Sequence, residues 1–180
     1  MNKFLTKSME KIFNTLGSNL DEFKDKTILI TGANGLIGGF LSEFFMYLND
    51  EHDFNSKLVL TSLSDDPKRL GNLIYRKDVQ YYSRDLTNDS WFFDEIDFCI
   101  YCAGYAQPNK FLSDAEKTYQ LNVDAMVRTF QSVMFERKKS KMLFISSSEV
   151  YALNDITKPH CETDELKLDL WHKRAPYIIG

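Results

Sequence analysis

The chain has 180 residues, of which 43% are hydrophobic and 27% are charged, and this composition predicts one globular domain with a sizeable core. Its formal net charge of -4 argues against a nucleic-acid-binding protein, because such proteins need basic residues to neutralise phosphates. No apolar run approaches the roughly 20 residues that a membrane-spanning helix needs, and Lys7, Glu10 and Lys11 interrupt the region where a signal peptide would be apolar. We therefore expect a cytoplasmic protein with neither a nucleic-acid nor a membrane partner.

Residues 1–24 form a lead-in segment that precedes the main domain at 25–180. Between Phe4 and Leu16, apolar residues recur at helical spacing among Lys, Glu and Asn, which predicts an amphipathic helix ending near Gly17. In the simpler interpretation this helix packs on its own domain. The alternative is that it mediates self-association, for example in a homodimer.

The domain is organised around an apolar, β-prone run from Thr27 to Thr31 that breaks into glycines and continues as a helix. Gly32 can take the positive φ that a sharp turn after a strand needs, and Gly35 lacks the Cβ that would keep a phosphate from the backbone. Gly38 allows the helix to lie close to the strand. This order of strand, turn and helix is the setting that a dinucleotide-binding fingerprint requires.

The first residues of that helix, Leu36 and Ile37, would offer free backbone N–H groups and the positive end of the helix dipole to an anion. In this arrangement the anion is the pyrophosphate of a dinucleotide. A plain strand-to-helix turn without a ligand is the alternative.

Further apolar runs alternate with helical segments, which predicts a doubly wound parallel α/β sheet of at least five strands, the Rossmann architecture. The later strands are predicted at 57–62, 79–83, 96–101 and 142–145. We expect the second strand to lie beside the first and the chain to cross over to the fourth after the third. Pro108 is expected to begin a loop, and a long helix is expected from about Ser113.

The residues after the second strand leave the phosphate state of the cofactor open. Ser62 stands where NAD-binding proteins of this fold place an Asp or Glu on the adenosine ribose. Lys68 and Arg69 follow, and either could neutralise the 2′-phosphate of NADP, or both could be solvated.

Cys99 and Cys102 form a Cys-x-x-Cys inside the fourth strand run, where two buried cysteines are favoured over a zinc site, and no metal is expected.

With Thr31 in front of a Gly-x-x-Gly-x-x-Gly spacing, the glycine turn resembles that of the extended short-chain dehydrogenase/reductase family. The best-known members of that family act on nucleotide sugars as epimerases, dehydratases and decarboxylases. The resemblance covers the chain from about Lys26 onward. It implies NAD or NADP as the cofactor, with NAD slightly favoured, and a nucleotide sugar as the substrate of the full-length form.

Later motifs follow in the order that the family shows. The resemblance implies that Asp85 and Leu86 lie against the adenine, although Asp85 could instead only cap the helical turn that follows it. It also implies that Ala103 and Gly104 lie beside the pyrophosphate and ribose. Asn122, in a Leu-Asn-Val triplet, would hydrogen-bond backbone near the active site.

Catalytic roles are likewise implied by the resemblance. Ser147 would hydrogen-bond the hydroxyl or carbonyl being oxidised or reduced, and Glu149 would assist in the substrate chemistry. The phenol of Tyr177 would take the hydroxyl proton as hydride leaves for the nicotinamide. The pair Ser148-Glu149 matches the UDP-glucuronate decarboxylases, whereas dehydratases have Asp-Glu there, which weakens the dehydratase interpretation.

The family's Tyr-x-x-x-Lys segment would place its lysine one residue past Gly180. The last strands and the lobe that binds the sugar nucleotide would also lie beyond it, so we expect a fragment that is inactive alone. The preferred hypothesis is the cofactor-binding portion of a nucleotide-sugar epimerase, dehydratase or decarboxylase, acting by transient oxidation of a sugar hydroxyl. A non-catalytic dinucleotide-binding or assembly module is the alternative.

Overall fold

A computed structural model describes residues 3–88, 93, 95–105, 107–136, 139–155 and 157–179. The strands are β1 (Thr27–Thr31), β2 (Lys57–Ser62), β3 (Val79–Ser83), β4 (Phe98–Tyr101) and β5 (Lys141–Phe144). The helices are α1 (Lys3–Leu16), α2 (Leu36–His52), α3 (Pro108–Ser113), α4 (Ala115–Tyr119), α5 (Ala125–Glu136) and α6 (Ala175–Ile179). In this part of the chain, no helix combines the length and the apolar character needed to cross a bilayer.

The five strands run parallel in the order β3-β2-β1-β4-β5. Thr31 at the end of β1 is in register with Thr61 of β2 and with Tyr101 of β4. This is the predicted doubly wound order, although β4 begins at Phe98 rather than at Ile96 and β5 lies one residue earlier than predicted. The order changes direction between β1 and β4, where open α/β sheets bind ligands at the carboxyl ends of their strands.

The strands are apolar on both faces because helices cover the sheet on each side. One face packs on α2 and buries Ile28, Ile30, Leu58, Leu60, Phe44, Phe45 and Leu48. The opposite face packs on α5 and buries Leu29, Val59, Cys99 and Val133. Double coverage explains why these strands appear in the sequence as continuous apolar runs instead of alternating patterns.

Two cysteines lie in β4 and just after it. Cys99 is buried and Cys102 is half-buried, and both are free thiols. Burial raises the pKa of Cys99 to about 12 and that of Cys102 to about 11, so both are protonated at neutral pH. Cys99 thus matches the interpretation of a buried strand residue, whereas Cys102 lies one residue past β4 and is only partly covered.

Helix α1 packs on the same core as α2. The Met9 side chain is fully buried, and Leu5, Ile12 and Phe13 contact the buried cluster. The Phe13 ring also stacks on the His52 ring at the end of α2, with 3.5 Å between the centroids. The apolar side of α1 is therefore covered by its own domain, as the simpler interpretation of this segment predicts.

The region after β4 differs from the prediction in two ways. Pro108 opens helix α3 instead of a loop, because its fixed φ and missing N–H suit the first turn of a helix. The long helix then begins after Asp114, whose carboxylate caps it by accepting from the Lys117 N–H at 3.0 Å. A π-helical stretch, Gln120–Asp124, separates α4 from α5.

Gly32 and Gly17 offer a matched test of the turn after β1. Both have positive φ, +63° and +52°, but a Cβ would lie 2.7 Å from the Cys102 carbonyl oxygen at Gly32 and would meet nothing within 4 Å at Gly17. Gly17→Ala should therefore cost about 1–2 kcal/mol of unfolding free energy, from backbone strain alone. Gly32→Ala should cost about 2–5 kcal/mol, because a steric overlap adds to that strain.

Urea denaturation followed by circular dichroism measures both costs. Equal destabilisation by the two substitutions would contradict the close packing of the turn against the end of β4.

Candidate functional site

The glycine turn brings the start of α2 directly against the end of β1. A Cβ on Gly38 would lie 2.6 Å from the Gly32 carbonyl oxygen, so only glycine allows this approach without a shift. Gly35 has an ordinary φ of -79° and is the N-cap of α2, where it provides no side-chain cap. The first N–H groups of the helix are therefore left for another acceptor.

The space outside this turn is open. A Cβ on Gly35 would meet only the Gly32 carbonyl oxygen, at 3.0 Å. The next two side chains, Leu36 and Ile37, are 73% and 48% exposed. An uncapped helix start beside a glycine backbone fits the pyrophosphate of a dinucleotide, because the N–H groups and the helix dipole both favour an anion.

Thr31 ties this turn to the end of β4. Its fully buried hydroxyl oxygen accepts from the N–H groups of Cys102 and Ala103, both at 3.1 Å. These bonds hold Ala103 and Gly104 beside the glycine turn, at the edge where the sheet order changes direction. The sequence marked Thr31 as the residue before the first glycine, but it gave no sign of this contact.

Ser62 lies at the predicted edge, at the end of β2, with its hydroxyl already engaged. The Ser62 Oγ lies 2.7 Å from the Tyr81 hydroxyl and accepts from the Ser64 N–H at 3.2 Å. Tyr81 in turn donates to the Ser64 carbonyl, and burial raises its pKa despite the hydrogen bond with Ser62. Next to this pair, the buried Thr61 Oγ1 has no hydrogen-bond partner among the described residues.

The carboxylate of Asp85 is held by several donors. Its Oδ2 lies 2.8 Å from the Lys117 ammonium nitrogen, and its Oδ1 accepts from the Thr87 N–H at 3.0 Å and the Thr87 hydroxyl at 2.7 Å. Burial acts to raise the pKa of Asp85, but the bonds from Lys117 and Thr87 outweigh it and hold the pKa below its ordinary value. The capping contact is thus present, and the adenine contact stays a prediction.

Leu86, the second predicted adenine contact, is buried at the same turn. Its carbonyl accepts from the Arg128 guanidinium at 2.9 Å, and the Thr87 carbonyl accepts from the same nitrogen at 3.1 Å. Lys117 and Arg128 therefore fix the turn after β3 from the helical layer.

Asn122 lies within the π-helical stretch and is nearly buried. Its Oδ1 would lie 3.5 Å from a Cβ on Gly104, which places the amide against the end of β4. The fully buried Tyr101 donates its hydroxyl to the Leu121 carbonyl at 2.6 Å, one residue before Asn122. The structure therefore brings Asn122 to the predicted edge, and its hydrogen bond to backbone stays a prediction.

An ion pair between Glu149 and Arg174 joins the two segments that carry the predicted catalytic residues. The Ser147 Oγ accepts from the Glu149 N–H at 3.2 Å and caps a 3-10 segment, Ser148–Tyr151. Both carboxylate oxygens of Glu149 accept from the same nitrogen of Arg174, at 2.8 Å each. Arg174 directly precedes α6, which carries Tyr177 and packs against the 3-10 segment. The pair thus joins the strand end with Ser147 to the helix with Tyr177.

Three cations at this edge had no assigned role in the sequence analysis: Lys117, Arg128 and Arg174. Each bonds a group far away in the chain, with separations of 32, 42 and 25 residues to Asp85, Leu86 and Glu149. In the sequence they were indistinguishable from solvated helix charges, because no local spacing relates them to their partners.

Comparison with known proteins agrees with this geometry. The profile of the NAD-dependent epimerase/dehydratase family matches residues 28–180, from β1 to the end of the chain. The chain belongs to this family. Membership implies a nicotinamide dinucleotide cofactor, which the open glycine turn fits. No curated protein matches the sequence.

Solved structures show the same fold in longer proteins. A UDP-N-acetylglucosamine 4-epimerase from Methanobrevibacter ruminantium M1, in complex with UDP-N-acetylmuramic acid, is 22% identical with a TM-score of 0.65, over 87% of this chain and 47% of its own. An epimerase from Methanothermobacter thermautotrophicus is 16% identical with a TM-score of 0.72, over 93% and 47%. A UDP-Glc/GlcNAc 4-epimerase from Campylobacter jejuni is 16% identical with a TM-score of 0.63, over 86% and 45%. This family member thus spans about half the length of these proteins.

The Asp85–Lys117 pair predicts a pH-dependent stability. Because the pKa of Asp85 is lowered by folding, its stabilisation is present above the unfolded value of about 3.9 and is lost as the pH falls through the folded value. Lys117→Met should therefore cost about 1 kcal/mol of unfolding free energy at pH 7 and progressively less as the pH approaches 3.

Urea denaturation across this pH range measures the effect. Lys158→Met is the matched control, because Lys158 lies 3.8 Å from Asp155 in an exposed pair. An equal cost of Lys117→Met at every pH would show that the lysine does not act through the Asp85 carboxylate.

Proposed function

We propose that this chain is the cofactor-binding part of an enzyme that transiently oxidises a hydroxyl group of a nucleotide sugar. Epimerases, dehydratases and decarboxylases of the family all fit this description. The observation that carries the proposal is the uncapped start of α2 at Gly35, held by Thr31 and Gly32 against the end of β4. A bound nicotinamide dinucleotide would supply the hydride acceptor.

Different residues around that turn would bind the pyrophosphate, the ribose and the adenine of the cofactor. The N–H groups at Leu36, Ile37 and Gly38 would bind the pyrophosphate, because the helix leaves them without a side-chain cap. Ala103 and Gly104 would leave room for the ribose at the end of β4. On the other side of β1, the predicted adenine contacts at Asp85 and Leu86 belong to a turn that the helical layer already holds rigid.

The chemistry would be carried out at the end of β5 and on α6. Ser147 would hydrogen-bond the sugar oxygen, and Tyr177 would accept the hydroxyl proton. Since both oxygens of Glu149 are engaged by Arg174, we infer that Glu149 assists by orienting the substrate and by fixing the segment that carries Ser147. A UDP-linked sugar is the proposed substrate class, supported by the UDP-sugar epimerases among the similar structures.

A non-catalytic dinucleotide-binding module is the second candidate. It is favoured by the ion pair between Glu149 and Arg174, because a carboxylate predicted to assist in substrate chemistry is instead bonded to a cation of the same chain. The two candidates share the cofactor site and differ in turnover.

Substitution at Gly35 tests the shared cofactor site. Gly35→Ala places a Cβ 3.0 Å from the Gly32 carbonyl oxygen without backbone strain, so it should weaken NAD or NADP binding only partly. Gly35→Val should abolish measurable binding, because the branched side chain fills the space of the pyrophosphate. Isothermal titration calorimetry of folded protein measures both.

Unchanged affinity in Gly35→Val, with folding verified by circular dichroism, would show that the dinucleotide does not bind at the glycine turn.

Turnover separates the enzyme from the module. The 180-residue chain should not turn over any nucleotide sugar, because it spans less than half of the matched epimerases and would hold no sugar against the cofactor. A version extended through the downstream reading frame should act on UDP- or dTDP-linked sugars. In that version, Tyr177→Phe should lower the rate about 100-fold or more, and Ser147→Ala by less.

Assays of cofactor reduction and sugar conversion check this expectation. Turnover by the 180-residue chain would contradict it, and an inactive extended version that still binds cofactor would favour the module.

A further inference from the structure

The loop after β2 lacks the feature that selects NAD in this fold. The strand itself ends at Ser62, and the Ser62 hydroxyl is already bonded to Tyr81 and Ser64. A carboxylate there would bind the two ribose hydroxyls of NAD and repel the 2′-phosphate of NADP. The acids nearest in sequence, Asp65 and Asp66, come later in the loop and are exposed.

Arg69 from the same loop is seated directly on the glycine turn. Its backbone N–H donates to the Asn34 Oδ1 at 3.1 Å. A Cβ on Gly39 would lie 2.4 Å from the Arg69 Cδ and 2.9 Å from its Cγ, so the aliphatic part of the arginine occupies the space over this glycine. Gly39 has no positive φ, and the space it leaves is occupied mainly by Arg69, with the Ala33 carbonyl oxygen 3.2 Å from the position of a Cβ.

The backbone around Arg69 is fixed. The Pro67 carbonyl accepts from the N–H groups of Leu70 at 2.9 Å and Gly71 at 3.2 Å, and both Pro67 and Leu70 are buried. Lys68 shares this turn, but its described hydrogen bond goes to the Asp66 carbonyl and not to the glycine turn. Of these two cations, Arg69 is the one that the fold holds beside the cofactor crevice.

We propose that this chain prefers NADP to NAD and that the Arg69 guanidinium contacts the 2′-phosphate of the adenosine ribose. The proposal rests on the proposed dinucleotide function and names the form of the cofactor. The guanidinium suits this role because its planar donors match the oxygens of a phosphate group. Arg69 is exposed, and among the described residues no carboxylate lies at ion-pair distance from it, so it is available to a ligand.

Asp65 is the competing group. It acts to raise the pKa of Tyr81, which shows that its charge lies near the bonded Ser62–Tyr81 pair. If the cofactor were NAD, Asp65 would be the carboxylate placed to take the ribose hydroxyls, and Arg69 would have no partner. The two alternatives therefore make opposite predictions for substitutions at Asp65 and Arg69.

Calorimetric titration of the folded 180-residue chain with NADP and with NAD tests the proposal. NADP should bind more tightly. Arg69→Gln should weaken NADP binding about tenfold or more, the value expected for loss of a hydrogen bond to a charged group, and should change NAD binding less than about twofold. Lys68→Gln is the matched control and should change neither affinity by more than about twofold.

Gly39→Ala is an independent variant that keeps the arginine. Its new Cβ would displace the Arg69 side chain and would lie 3.2 Å from the Ala33 carbonyl oxygen, so NADP affinity should fall by a larger factor than NAD affinity. Binding of NAD as tight as that of NADP, or a loss of NAD binding in Asp65→Asn, would overturn the NADP assignment and leave the dinucleotide function standing. Failure of folded wild-type protein to bind either cofactor would overturn the proposed function itself and the inference with it.

Discussion

The buried hydroxyl of Thr31 holds the two strand ends on which the site depends. Cys102 and Ala103 lie just past β4, where their N–H groups have left the regular ladder and still need acceptors. The Thr31 oxygen accepts both, at 3.1 Å each. Because the neighbouring Gly32 has no side chain, the turn can approach the Cys102 carbonyl closely enough for these bonds to form. One strand end thereby positions the phosphate-binding turn and the ribose edge together.

Tyr101, at the end of β4, connects these strand ends to the helical layer. Tyr101 is in register with Thr31, and its burial raises the pKa of its phenol, so the hydroxyl stays a neutral donor. It donates to the Leu121 carbonyl in the π-helical stretch. π-Helical turns are rare and occur frequently at functional sites. Here the turn brings Asn122 against Gly104, so a hydrogen bond from the sheet to the helical layer helps to place the amide.

Two ion pairs lie at the same edge of the sheet, one on each side of β1 and β4. Lys117 holds Asp85 after β3, and Arg174 holds Glu149 after β5. Both pairs are partly exposed, so each is expected to contribute about 1 kcal/mol. They fix loops that would otherwise be free at the carboxyl ends of the strands. The two acids that the sequence predicted for the adenine and the substrate are thus bonded to cations of the same chain.

The sequence predicted the parts of the fold that depend on local patterns. The bounds of β2 and β3 were found as predicted, because buried parallel strands form continuous apolar runs between polar turns. The helix opened by Pro108 was missed, since proline marks the start of a helix as readily as a break in the chain. The contacts of Thr31, Lys117 and Arg174 could not be predicted, because each joins residues that only the tertiary fold brings together.

The most direct test of the central claim is to locate the bound dinucleotide by backbone amide NMR of the isotope-labelled chain. Titration with NADP should shift the amides of the glycine turn and the first turn of α2, from Gly35 to Gly38, most strongly. The amides of Ala103 and Gly104 should shift with them, because Thr31 holds that segment beside the turn. Shifts confined to other surfaces, with these amides unchanged at saturating dinucleotide, would contradict the account.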